Sequence, residues 1–278
     1  MGKKCTVCGA PMSGRKCDYC GKHTSEEKED FQSASPDHSG SFVLSRSKNF
    51  ALIGIYAVGM VLLPILAMLI IILIRDYTLR YISEDDLFSM GTLGTVITYA
   101  ILCGVMLLLT YKVFKHDLKK IDSWGKFFIQ MGLGILCTFT AALVGNTIVM
   151  LLGTEEMALN QELVESALAA MPLVMIITIV LLAPVVEEII FRLVLMNLFN
   201  WKPIYNLIFS SFIFGLMHVV VGGLIHIIPY FLMGLVFGYF YLKNNNIWHV
   251  TILHMLHNGL TVVLVFWAQH MQYVFDLY

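Results

Sequence analysis

The sequence predicts an all-α protein: a polytopic membrane helix bundle of about seven transmembrane helices, preceded by a small cytoplasmic zinc ribbon. Three observations carry that prediction. The 278 residues are 58% hydrophobic and only 13% charged, with a mean hydropathy of +0.77, beyond the apolar content of an ordinary soluble domain. Apolar runs near 49–74, 90–113, 127–152, 172–199, 205–221, 226–242 and 247–267 are each long enough, or nearly so, to cross a bilayer. Four of the six cysteines are paired at the start of the chain. The formal charge of -1 lacks the clustered basic excess that nucleic acid demands, so the expected surroundings are a lipid bilayer and no nucleic acid.

Taken in order, residues 1–22 hold Cys5, Cys8, Cys17 and Cys20 as two C-x2-C knuckles, with a glycine after each second cysteine. That spacing brings paired thiolates to one tetrahedral ion, and the glycines let the backbone turn close to the sulfurs. A segment this short cannot build a core, so a structural Zn2+ would supply most of its folding free energy. The rival is a disulfide or redox module, which a cytoplasmic location disfavours. Residues 23–47 are polar, charged and aperiodic, a flexible linker. The membrane bundle occupies 48–270. Cys103 and Cys137 lie alone in apolar runs and are expected to be small buried hydrophobes.

Loop charges orient the spans. Arg46, Lys48, Lys112, Lys115, Lys119, Lys120, Lys126, Lys202 and Lys243 fall on one side by alternation, whereas Glu155, Glu156, Glu162, Glu165, Asp85 and Asp86 fall on the other. The positive-inside rule then places the N-terminus in the cytoplasm and the C-terminus outside. No signal peptide of the usual form opens the chain.

The fourth span breaks its apolar character at Pro-Val-Val-Glu-Glu-Ile-Ile-Phe-Arg, residues 184–192. Ionisable groups at membrane depth cost about 2.5–3.5 kcal/mol each on insertion scales, so three of them imply work to do. On a helix Glu188 and Arg192 share a face at i,i+4 and pair, while Glu187 sits about 100° round the cylinder and stays available. His218, four residues after Phe214, and His254 with Asn258, again i,i+4, supply the other polar groups inside the spans. Counting about 1.5 Å per residue from the presumed cytoplasmic ends, Glu187, His218, Asn258 and His254 reach about 18, 20, 16 and 10 Å, a common level expected to open toward the cytosol. Taken singly, each histidine reads as a packing residue and Asn258 as interhelical glue. His226, His249 and His257 are read as structural, Gly222-Gly223 and Asn244-Asn245-Asn246 as turns, and Gly234 with Gly238 as a helix contact.

Glu-Glu-x-x-x-Arg, Phe-x-x-x-His and His-x-x-x-Asn, in that order on successive spans, resemble the signature of the CPBP intramembrane proteases, also called Abi or CAAX-protease-like. The resemblance covers roughly residues 172–267. It implies hydrolysis of a peptide bond in a protein or peptide substrate, either CAAX-type processing or peptide and bacteriocin maturation with self-immunity. It further implies Glu187 as general base on a water held with His218, His254 and Asn258 as oxyanion donors, and the Glu188–Arg192 pair as organiser of its helix. A bacterial plasma membrane is expected by the same resemblance. The family goes by both metalloprotease and glutamate-protease names. The absence of His-Glu-x-x-His and the engagement of Glu188 with Arg192 favour glutamate chemistry, with a catalytic metal left open. The ribbon would serve a protein partner or substrate. A non-catalytic immunity or scaffold protein on the same fold, or a transporter lined by the buried charges, are the alternatives.

Overall fold

The computed structural model describes residues 44–74, 83–121, 123–154, 158–220 and 222–276. The ribbon cysteines and the linker up to residue 43 lie outside them. Every regular element among the described residues is helical: α1 (Arg46–Ile74), α2 (Glu84–Leu118), α3 (Trp124–Leu151), α4 (Leu159–Ala170), α5 (Pro172–Asn197), α6 (Pro203–His218), α7 (Ile227–Asn244) and α8 (Ile247–Asp276). Six of these runs are long and apolar enough to cross a membrane, and α6 is a shorter apolar helix of 16 residues. At about 1.5 Å per residue α6 spans about 24 Å, short of a full hydrocarbon core. Leu108, Leu143, Leu151 and Leu173 point outward and exposed, as lipid-facing side chains do. Cys103 is buried as expected, but Cys137 is exposed on α3. Hydropathy cannot separate the lipid-facing side of a membrane helix from its packed side, because both are apolar.

Local chemistry sets the boundaries. Ser83 begins α2 by accepting from the Asp86 amide at 3.1 Å, while the Asp86 carboxylate accepts from the Ser83 amide, a reciprocal cap. Pro172 and Pro203 occupy the first turns of α5 and α6, where a missing N–H costs nothing. The two turns read from the sequence are present: Gly223, at φ 71°, leads into a single 3-10 turn before α7, and Asn245, at φ 44°, ends α7 in the left-handed region that asparagine tolerates. α4 is a helix where the sequence reading placed only an acidic loop, and its position over the site explains that miss below.

The polar N-terminus of α8 is tied to the far end of α2. Buried Asp117 accepts from the Ile247 amide at 2.9 Å, Asn246 donates to the Asp117 carbonyl at 2.7 Å, and the Trp248 indole donates to the Phe114 carbonyl at 2.8 Å. The carboxylate thus caps one orphan N–H group across 130 residues of sequence. Asp117→Ala is expected to destabilise the bundle by about 0.5–2 kcal/mol, read as a lowered Tm of the purified protein in detergent.

Helix pairs approach closely where side chains are absent. Gly234 of α7 lies against the Ser211 backbone of α6, and Gly238 against Leu207, so the small-residue pair read from the sequence is a contact surface. On the other side of α7, a Cβ added at Gly145 of α3 would overlap the Pro229 backbone. Gly145→Ala should therefore force α3 from α7 at a cost of about 1–3 kcal/mol, measured as a downward Tm shift.

Candidate active site

The centre of the bundle is α5, which departs from α-helical pitch three times. Its turns run α (Pro172–Ile177), π (Thr178–Leu182), α (Ala183–Glu188), π (Ile189–Val194) and 3-10 (Leu195–Asn197). Single π turns inside helices recur at functional sites, because the extra residue re-aims the side chains that follow. Pro184 accounts for part of the first. The Ala183 amide bonds the Thr178 carbonyl, five residues back, and the matching donor for the Ile179 carbonyl would be residue 184, which has no N–H. Asn258 of α8 takes that place, donating Nδ2 to the Ile179 carbonyl at 2.9 Å. Around the second π segment, Ser210 donates to the Phe191 carbonyl, and Asn197 Nδ2 donates to the Leu193 carbonyl at 3.0 Å. Backbone groups loosened inside the bundle are thus re-satisfied by polar side chains, the condition for irregular helix at membrane depth.

The short α segment between the two π turns presents both glutamates. Glu188 and Arg192 have no exposure, and their side chains pair at 3.2 Å. The angle is poor for a hydrogen bond, so the contact is chiefly ionic. Arg192 Nη2 donates to the Gly234 carbonyl at 3.2 Å, and its guanidinium lies 4.7 Å from the Phe214 ring centre, 5.4 Å from Phe237 and 5.7 Å from Phe191. A weakly hydrated planar cation boxed by aromatic rings is what keeps an arginine inside hydrocarbon. Phe214 therefore has a definite job in Phe-x-x-x-His. Its ring supports Arg192, and its carbonyl accepts from His218 Nδ1 at 2.8 Å.

Glu188 also faces His254, an interaction the sequence reading missed: His254 Nδ1 lies 2.7 Å from Glu188 Oε1. One carboxylate thus holds an arginine with one oxygen and a histidine with the other, which fixes the imidazole so that Nε2 faces Glu187. Glu187 Oε2 lies 3.8 Å from His254 Nε2 and 4.0 Å from His218 Nε2, and it makes no hydrogen bond within the protein. The His218 ring is stacked on Tyr230 at 4.5 Å, and that of His254 on Phe237 at 4.5 Å. Both imidazoles are held by one ring nitrogen and one face. Glu187, His218, His254 and Asn258 line a single cavity of about 470 Å³, so the groups that the sequence reading singled out do converge.

Other lining residues gave no sequence signal. Tyr56 of α1 and Tyr99 of α2 line the cavity together with Glu187. From α4, Asn160, Gln161 and Glu165 face into it, and Gln161 Nε2 donates to the Glu165 carboxylate at 2.8 Å. Because α4 turns polar groups inward, its periodicity does not read as an amphipathic surface helix. Of the three histidines read as structural, His226 lies against the Gly223 carbonyl at 3.2 Å, and His249 packs on Phe127 with ring centres 4.8 Å apart. His257 contacts Thr138 at 3.0 Å but also lines the cavity.

The expectation that the site opens on the lysine-rich side does not hold. On α8 the cavity begins at His254 and continues through Asn258, Thr261 and Val265; on α7 it uses Tyr230, Met233 and Phe237. Toward the lysine-bearing turns the space is filled by buried Leu207, Phe240, Tyr241, Ile247, Val250 and Leu253. Counting residues along helices gives depth but not which half of the bundle is packed.

No group of three or more His, Cys, Asp or Glu side chains arranged to hold a metal ion occurs among the described residues. Glu188 has both oxygens engaged with Arg192 and His254. The residues present do not fit a catalytic metal centre, and no step below is routed through one.

A buried carboxylate, two oriented imidazoles and an amide around one chamber in a membrane bundle define a membrane-embedded hydrolase, and comparison with known proteins agrees. Residues 169–260, which contain all seven residues of the three motifs, match the family described as Type II CAAX prenyl endopeptidase Rce1-like. A relative in Bacillus subtilis (strain 168), named "Putative membrane peptidase YdiL", is 25% identical over 187 residues, 66% of this chain and 75% of its own length. No solved structure matches the chain. The chain is an integral membrane enzyme of the protease class.

Proposed function

We propose that Glu187 and His218 hold and activate the water that cleaves a substrate peptide bond. The observation that carries this reading is the Glu187 Oε2 position, 4.0 Å from His218 Nε2 and 3.8 Å from His254 Nε2. These separations are too long for direct hydrogen bonds and suit groups that share a small molecule between them. His218 Nδ1 donates to a carbonyl, so in the neutral ring Nε2 is an acceptor. A water donating one hydrogen to Glu187 and the other to His218 turns its lone pairs toward the scissile carbonyl. As the O–C bond forms, Glu187 takes a proton from the water; as the C–N bond breaks, Glu187 returns it to the leaving amine.

His254 is the second imidazole at the site, its Nε2 3.8 Å from Glu187 Oε2. With Nδ1 turned to Glu188 at 2.7 Å, an oxyanion role for His254 requires an N–H at Nε2 as well. That donor, together with the second amide hydrogen of Asn258, serves the oxyanion of the tetrahedral intermediate. Asn258→Ala is expected to lower kcat by about 10²–10³-fold with a smaller change in KM, measured on a peptide identified as substrate. Equal losses in binding and turnover would give Asn258 only its structural role at Ile179.

The N-terminal knuckles are proposed as a zinc ribbon that engages a protein partner or substrate. Metal analysis of the purified chain should give about one zinc per chain, lost when Cys5, Cys8, Cys17 and Cys20 are replaced. With the ribbon cysteines replaced, exhaustive chelation should leave cleavage intact; loss of activity would restore a metal-dependent mechanism. A bacterial plasma membrane with the N-terminus on its cytoplasmic side is proposed as well; the lysine-rich turns support that orientation.

A further inference from the structure

Building on the protease reading above, we infer that the site faces away from the cytoplasm, and that its substrate is an exported or membrane-inserted peptide presented from the outer leaflet. Two independent observations meet here. The first is the asymmetry of the chamber. Its lining residues run mostly from the level of Glu187 toward the ends of the helices where α4, the α6–α7 connection and the C-terminal half of α8 lie, while the opposite half is filled by buried side chains such as Phe240, Tyr241, Ile247, Val250 and Leu253. The second is charge. The connections and helix ends on the packed side carry Arg46, Lys48, Lys112, Lys115, Lys119, Lys120, Lys126, Lys202 and Lys243. Those on the open side carry only Arg75 and Arg80, against Glu155, Glu156, Glu162 and Glu165 in one connection alone. Lys and Arg in short loops mark the cytoplasmic face, so the packed half is cytoplasmic and the chamber opens outward.

A second cavity of about 760 Å³, with Phe139, Leu143, Met150 and Pro229 in its walls, shares Tyr230, Met233, His257 and Thr261 with the catalytic chamber. Through this cavity, walled by α3, α4, α7 and α8, a peptide lying in the outer leaflet can reach the chamber without crossing the membrane. On that path it meets the inward-facing polar groups of α4, Asn160, Gln161 and Glu165. A lipidated C-terminus exposed only to the cytosol would have to pass the packed half to reach Glu187.

The test is accessibility of the chamber in intact cells. Gln161→Cys, Thr261→Cys and, as the cytoplasmic reference, Lys120→Cys are introduced singly in the full chain and exposed to a membrane-impermeant maleimide. Labelled positions are identified by peptide mass spectrometry, which separates them from the native cysteines. Gln161→Cys and Thr261→Cys should label equally before and after permeabilisation, and Lys120→Cys only after it. Labelling of the chamber positions only after permeabilisation, or in neither state, would overturn the inference. Cleavage by the native protein against the Glu187→Gln variant is scored separately. A cytoplasmic chamber with cleavage still dependent on Glu187 leaves the protease mechanism standing and removes only its outward orientation. An outward chamber without Glu187 dependence does the reverse.

Discussion

Replacing Glu187 by glutamine is expected to lower substrate cleavage by about 10²–10⁴-fold, the range that a general acid–base group supplies, with Tm nearly unchanged. The asymmetry between activity and stability follows from the site. Glu187 Oε2 makes no hydrogen bond within the protein, and its nearest charged-capable neighbours stand at 3.8 and 4.0 Å. Glutamine keeps the shape and one carbonyl oxygen but cannot accept the proton from water. A binding, immunity or transport protein built on the same fold would keep most of its function with this neutral replacement. Cleavage kinetics and thermal unfolding of the same preparation separate the two outcomes.

Arg192→Met is expected to be the most damaging single change to stability, at about 3–5 kcal/mol. Removing the guanidinium leaves Glu188 as a fully buried carboxylate facing only His254, and it also empties the space framed by Phe191, Phe214 and Phe237. Arg192→Lys should rescue little, because an ammonium is strongly hydrated and cannot lie flat among three rings while reaching both Glu188 and the Gly234 carbonyl. The double change Glu188→Gln with Arg192→Met removes both charges and should recover part of the lost stability. It should not recover activity, since Glu188 orients His254. A Tm for the double variant no higher than for Arg192→Met would contradict the assignment of the loss to an unpaired charge.

Much of the bundle was legible because bilayer thickness imposes a length on apolar runs, and every expected run contains a helix close to its predicted place. α6 fell short because its apolar run was counted through Val219 and Val220, whereas the helix ends at His218. The pairing of Glu188 with Arg192 was legible because i,i+4 spacing survives the start of a π turn. The π turns themselves were not, since hydropathy says nothing of helical pitch; Pro184 beside two glutamates was the available sign. Glu188's second partner, His254, lies 66 residues away and needed the fold. Asp117 was hidden among lysines that suggested a solvated loop, yet it is buried beneath the start of α8. Cys137 and α4 were misjudged for one reason: in a membrane bundle apolar faces turn outward to lipid and polar faces turn inward to a chamber, the reverse of the soluble pattern.

The central claim, that this chamber hydrolyses peptide bonds with Glu187 as base, is tested most directly by comparing peptide termini in membranes holding the native chain or its Glu187→Gln form at equal abundance. The account predicts a defined set of new N- and C-termini that appear only with the native chain. Identical termini in both membranes would contradict it.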